Sequence, residues 1–225
     1  MNWFVVNSGQ CEPAVNMATD EALLIHAADA GAPLLRFYGW TEPAATFGYF
    51  QKYAEIEQAT LLRPLIRRPT GGGLVPHLAD WTYSFVVPPR QEWYSLRAEE
   101  SYRRMHLWIQ AALKQVQIES ELADCCRKEM PGQCFFGYEK HDVLSHGRKM
   151  AGAAQRRNKH GLLIQGSIQP VPTGVDLATF IEAMSESGTD QLGGTPAVAD
   201  LTKLKTQIQE LATTRYATPA HNQRR

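Results

Sequence analysis

Apolar residues recur at helical spacing in a few long stretches and alternate with polar ones in many short stretches, and that division sets the expected fold. Over residues 14–29, Val15, Ala18, Ala22 and Ile25 share one face, with Asp20 and Glu21 in the first half, where the helix macrodipole favours acids. The longest pattern runs over 96–118, where Tyr102, Met105, Ile109, Leu113 and Val116 fall three or four apart. Both segments predict amphipathic helices, the second packed behind a sheet. Two further helices are predicted over 176–184 and 200–213, each opening on an Asp that can cap free N–H groups.

Short runs at 1–6, 33–40, 44–49, 64–68, 74–77 and 81–87 read as strands, apolar or rich in branched and aromatic residues and set apart by Gly, Pro and polar residues. Three more, at 141–146, 149–156 and 161–168, are joined by turns at Gly147-Arg148 and Asn158-Lys159, which predicts a largely antiparallel sheet. Residues 120–137 hold Cys125, Cys126, Cys134, Pro131, Gly132 and Gly137 and are expected to be loop with one short strand, a natural place for chemistry. The expected fold class is α/β of the α+β type, a mixed, mainly antiparallel sheet backed by helices. One domain is expected over 1–216, followed by a disordered tail over 217–225.

Composition narrows the partners. Lys plus Arg equals Asp plus Glu at 23 each, so no global field is available to hold nucleic acid or an anionic membrane. Met1 to Val6 has no basic lead and reads as a strand rather than a signal peptide, and no run of 18 apolar residues follows, so a cytoplasmic location is expected. Cys11, Cys125, Cys126 and Cys134 are then expected as thiols. They form no CxxC pair, and His141 has no partner at ligand spacing, so no metal site is expected.

Three segments carry candidate chemistry. In Arg67-Arg68-Pro69-Thr70-Gly71-Gly72-Gly73-Leu74-Val75-Pro76-His77, two guanidiniums lead into three glycines, which reads either as an anion nest or as a tight turn beside a surface Arg pair. It lacks the GK[ST] ending of a Walker A loop. In Gly147-Arg148-Lys149-Met150-Ala151-Gly152-Ala153-Ala154-Gln155-Arg156, a lysine precedes small residues that leave room for a ligand, although a hairpin lysine is more often solvated. Cys134-Phe135-Phe136 lies in a loop, and a reactive thiolate there needs nearby positive charge or a base, for which Arg148, Lys149, Arg156 and His141 are candidates. Cys125 and Cys126 are rivals for that reactivity.

Taken together, these segments resemble the lipoate–protein ligase and octanoyltransferase family, related in fold to biotin–protein ligases. The resemblance is nearest to the cysteine-dependent octanoyltransferase branch. Its pieces occur in order from about residue 3 to residue 170: Asn16-Met17-Ala18-Thr19-Asp20-Glu21-Ala22-Leu23, Leu35-Arg36-Phe37-Tyr38-Gly39-Trp40, Thr46-Phe47-Gly48-Tyr49-Phe50-Gln51, the Arg67 to His77 run, Thr82-Tyr83-Ser84, and Lys149 to Gln155. The resemblance implies the biotin/lipoate ligase catalytic-domain fold, with Cys134 and Lys149 catalytic. It also implies that Arg67, Arg68, Thr70, Gly71, Gly72, Gly73, His77, Gly152, Ala153, Ala154 and Gln165 bind substrate. Phe47, Phe50 and Leu74 are candidate walls of an acyl tunnel.

The implied reaction moves an octanoyl group from octanoyl-acyl carrier protein to Cys134, and then to the lysine of a lipoyl domain such as a glycine cleavage H protein or a dehydrogenase E2 subunit. It needs no cofactor. An ATP- and Mg-dependent lipoate ligase is the alternative, and a non-catalytic binder of acyl carriers or lipoyl domains the third. His77-Leu78-Ala79-Asp80 departs from the ligase pattern, in which the His is followed directly by Asp, and Gln165 stands where many relatives carry His.

Overall fold

The structure, a computed structural model, describes residues 2–128, 132, 134, 135 and 137–224; Pro131, Phe136 and Arg225 fall outside these. The strands are β1 (Trp3–Cys11), β2 (Leu34–Trp40), β3 (Ala44–Phe47), β4 (Leu65–Arg67), β5 (Val75–His77), β6 (Trp81–Val87), β7 (Glu121–Leu122), β8 (Arg127–Lys128), β9 (Gly137–Tyr138), β10 (Val143–Ser145), β11 (Arg148–Asn158), β12 (Gly161–Ile168) and β13 (Pro196–Val198). The helices are α1 (Pro13–Ile25), α2 (Ala27–Ala30), α3 (Tyr53–Ala59), α4 (Glu92–Ser95), α5 (Ala98–Gln115), α6 (Leu177–Leu192), α7 (Lys205–Leu211) and α8 (Pro219–Asn222). Among the described residues the main sheet runs β13-β1-β2-β6-β12-β11-β10-β7, with β1 parallel to both its neighbours and the other pairs antiparallel. A small sheet, β4-β3-β5, and the hairpin β8-β9 lie beside it.

Side-chain alternation divides the core between the two faces of the main sheet. Leu35, Phe85 and Ile164 face one way, under α5 and α6, while Leu34, Val86 and Leu163 face the other, under α1. On the first face Trp108 packs edge-on against Trp3 and Phe85, with ring centroids 5.6 and 5.4 Å apart. Gly188 of α6 admits this cluster, since a Cβ there would fall 2.6 Å from both Trp rings.

On the second face α1 is buried along nearly its whole length, so the acids expected to serve the macrodipole do something else. Asp20 is fully buried and pairs with Arg36 of β2 at 2.7 Å. Glu21 pairs with Arg215 at 3.1 Å and accepts from the Tyr216 hydroxyl at 2.9 Å, which pins the π-helical turn Ala212–Tyr216 onto α1. The helix expected over 200–213 is therefore a 3-10 turn, α7 and this π turn in succession.

Other differences are local. Among the described residues of 120–138 there are three two-residue strands where one was expected: β7 pairs with β10, and β8 and β9 pair with each other. The disordered tail expected from residue 217 is corrected: α8 is capped by the Thr218 side chain, and His221 and Asn222 are buried. The Asn222 side chain accepts from Arg67 N–H at 2.9 Å, which ties this helix to β4. No helix among the described residues is long and apolar enough to cross a membrane.

His106 of α5 lies buried with its ring edge against Tyr102, and burial, offset in part by Asp142 and the His141 backbone, pushes its pKa down to about 4. Above pH 6.5 the imidazole is neutral in folded and unfolded chains alike; between 6.5 and about 4 only the unfolded chain takes up the proton. Stability should thus fall as pH falls through that window, by on the order of 3 kcal/mol from this residue. Urea unfolding at pH 4 to 7 should show the slope, and His106→Leu should flatten it; an unchanged slope would assign the titration elsewhere.

Candidate active site

A cleft opens on the second face of the main sheet. Cys134, Phe135, Lys149 and the small residues Gly152 to Ala154 of β11 line it, as do Gln165 to Ser167 of β12, Thr82 of β6, Tyr38 and Trp40 of β2, and Met17 of α1. These four strands are consecutive, so at about 4.8 Å per neighbour the lining crosses roughly 14 Å of sheet. Gly166 makes room on the opposite face for Tyr83, since a Cβ there would overlap that ring at 2.2 Å.

Backbone pairing sets the Cys134 loop against the glycine turn. Leu74 N–H donates to Gly132 O at 2.8 Å, Cys134 N–H donates to Leu74 O at 3.0 Å, and Gly73 N–H points at Cys134 Sγ, 3.1 Å away. Only a glycine fits at 73, because a Cβ would lie 2.5 Å from Gly132 O and 3.3 Å from the sulfur. The turn is held from behind by Gly48, whose Cβ would strike Gly72 O at 1.9 Å.

The two arginines separate in role. Arg68 donates to Gly71 O at 2.6 Å and to Gly73 O at 2.7 Å, so the turn offers it carbonyls and does not form the anticipated anion nest. Burial pushes the Arg68 pKa down, opposed by the nearby Cys134 sulfur; the guanidinium and the sulfur both lie against Gly72. Arg67, expected to bind substrate, does not line the cleft. Its guanidinium stacks over Phe47 and donates to the carbonyls of Tyr49, Gln51, His221 and Asn222, a structural rivet between the loop after β3 and α8.

Lys149 reaches along β11 to donate to the Cys134 carbonyl at 2.7 Å and to pair with Asp142 at 2.7 Å. The space left by Gly152, anticipated as room for a ligand, is taken by this side chain: a Cβ would lie 2.5 Å from Lys149 Cε.

A polar network underlies the rest of the floor. Thr70 donates to Gln165 Oε1 at 2.7 Å, and Gln165 Nε2 donates to Asp20 at 2.7 Å. Asp20 also accepts from Arg36, Tyr38 and Ser84. His77 stacks on Trp40 with centroids 3.9 Å apart, and both ring nitrogens are engaged, by Asp80 and by Thr46 Oγ1, each at 2.9 Å. Burial raises the Asp80 carboxyl pKa, but His77 and hydrogen bonds from Ser167 and Thr82 outweigh it and hold the group below the usual range.

Of the residues singled out in the sequence, Cys134, Lys149, Arg68, His77, Gly152, Ala153, Ala154 and Gln165 meet at the cleft. Thr70 and the three glycines stand just behind it. Phe47 and Leu74 belong instead to a side core with Ile56 and Leu65, and Phe50 is 70% exposed, so none of the three is a tunnel wall. Arg156 stacks over Tyr49 and His141 pairs with Glu99; neither is shown at the thiol. Cys125 and Cys126 are exposed and do not line the cleft. Sequence reasoning missed Asp142, Asp80, Met17, Tyr38 and Trp40 as parts of this site, although Asp80 stood in plain view three residues after His77.

The model of the lipoyl protein ligase A/B catalytic domain matches residues 12–215. The chain belongs to this family. Octanoyltransferase LipM of Geobacillus kaustophilus is 37% identical over 180 residues, covering 74% of this chain and 64% of the relative. The chain thus spans less than two thirds of that relative's length. Protein Ta0514 of Thermoplasma acidophilum shares the fold with a TM-score of 0.81 at 19% identity over 100% of both chains. Lipoate-protein ligase A bound with ATP gives 0.78 at 20% identity over 99% of both. Within this lipoyl protein ligase A/B catalytic domain the cleft is lined by the Cys134 loop and the lysine hairpin, with the glycine turn packed behind the thiol.

Gly73→Ala tests the seat of the thiol. The added methyl must push the Cys134 loop away, so iodoacetamide labelling of Cys134 should change several-fold while the melting temperature moves by only a few degrees. An unchanged labelling rate would mean that the loop is not seated on residue 73.

Proposed function

We propose that the protein transfers an octanoyl group from octanoyl-acyl carrier protein to the lysine of a lipoyl domain through a thioester on Cys134. The observation that carries this is that Cys134, Lys149 and Arg68 line one cleft, with the Gly73 N–H 3.1 Å from the Cys134 sulfur. The family membership and the LipM relatives support the same reading.

In the first step the Cys134 sulfur bonds to the thioester carbonyl carbon. The carbon–sulfur bond to the carrier then breaks, and the carrier leaves as its thiol. Charge that develops on the carbonyl oxygen is stabilised by donors already in place, Lys149 first among the candidates. In the second step the lysine ε-amine attacks the Cys134 thioester, an amide forms, and the Cys134 thiol is restored. A thioester becomes an amide, which runs downhill, so neither ATP nor a metal cofactor is required. The alkyl chain would lie along the sheet towards Met17 and Trp40; at about 0.8 kcal/mol per buried CH₂, a floor that ends there can tell chain lengths apart.

Intact mass after mixing with octanoyl-acyl carrier protein, without ATP, should show one hydroxylamine-labile octanoyl adduct, absent in Cys134→Ala. Absence of the adduct in the wild type, together with adenylate formation from lipoate and ATP, would replace the transferase by a ligase. Binding of either carrier with no turnover would leave a scaffold.

A further inference from the structure

Lys149 is gripped from below by groups that the transfer reaction does not itself consume. Asp142 is fully buried; its Oδ2 lies 2.7 Å from Lys149 Nζ and accepts from Glu139 N–H at 2.7 Å. Its Oδ1 accepts from the Tyr102 hydroxyl. Tyr102 comes from α5, and its oxygen in turn accepts from Ala153 N–H at 3.4 Å, on the strand that lines the cleft.

An ammonium has three N–H donors. One is met by Asp142 and one by the Cys134 carbonyl; among the described residues the third has no hydrogen-bond acceptor, and the ammonium lies 5.0 Å from the Phe135 ring centroid. Torsional freedom is small, because the methylene chain passes through the space that any side chain at 152 would fill. A lysine held this way is a fixed donor, whereas a solvated hairpin lysine samples many rotamers and gains little at the moment of reaction.

We infer that Asp142 and Tyr102 are positioning residues, which hold the Lys149 ammonium so that its remaining N–H serves the carbonyl oxygen of the acyl group being transferred. This rests on the proposed acyl transfer. The register of α5 against β11 then reaches the reacting atoms through two side chains, Tyr102 and Asp142, neither of which touches substrate.

The test is a double-mutant cycle on the rate of thioester formation at Cys134, using wild type, Asp142→Asn, Lys149→Met and the pair. Asp142→Asn should lower the rate about 30-fold with the donor KM within about twofold, and should add less than about threefold once Lys149 is already Met. Tyr102→Phe, which leaves the Lys149 and Glu139 contacts to Asp142, should lower the rate about fivefold and lose that effect in the same background. It serves if Asp142→Asn does not fold. Effects that multiply in full would assign both residues to structure alone and overturn the inference. Should wild type form no thioester but transfer with ATP, the acyl-enzyme reading fails, and the same variants read on that transfer decide the positioning role separately.

Discussion

A carboxylate shut away from water must be met by donors from every side, and Asp20 is that carboxylate here. Arg36 and Tyr38 reach it from β2, Ser84 from β6 and Gln165 from β12, while its own backbone belongs to α1. One side chain therefore locks a helix onto three adjacent strands. Loss of either member of the Asp20–Arg36 pair would leave a buried charge without its counter-charge, a cost of about 3–5 kcal/mol. Because the same strands form the floor of the cleft, the arrangement that stabilises α1 also fixes where Gln165, Thr70 and Tyr38 stand.

Around that floor the chain divides its labour. Polar groups that other proteins would use to touch ligand are consumed inside the fold: the Arg36 guanidinium by Ser8, Asn16 and Asp20, and that of Arg67 by backbone carbonyls. The groups facing the thiol are few: Arg68, the Gly73 N–H and, through the loop carbonyl, Lys149. The glycines at 48, 72 and 73 do not cradle an anion; they let two backbone segments come close enough to set the sulfur. Ala153 and Ala154 are small where β11 lines the cleft, the space at Gly152 is filled by Lys149, and Trp40 stacks on His77 along the wall.

Periodicity alone was enough for α5, for β6 and for the hairpin of β11 and β12, because each buries a face whose spacing matches its geometry. It failed for α3 and β13, the first short and mostly exposed, the second formed by pairing with a strand almost two hundred residues away. It also failed for residues 217–224, whose polar sequence looks like a tail until Arg67 supplies the partner. The same split holds at the site. Cys134 and Lys149 were legible because they stand in a recognisable order along the chain. Asp142 was not, since a bulge in β10–β11 pairing, invisible in composition, brings it back under Lys149. Arg67 was misread because its neighbour Arg68 has the same chemistry, and only the fold tells which of the two turns towards the cleft.

The aromatic distribution gives the molecule an optical property. Trp3, Trp81, Trp93 and Trp108 are sealed in the core beneath α5 and α6, where an incoming ligand does not reach them. Trp40 lies apart from them, at the cleft, face to face with His77. Emission from four indoles is thus a constant background set by folding, and the fifth is a lamp placed inside the site, whose brightness and colour respond to what displaces water there.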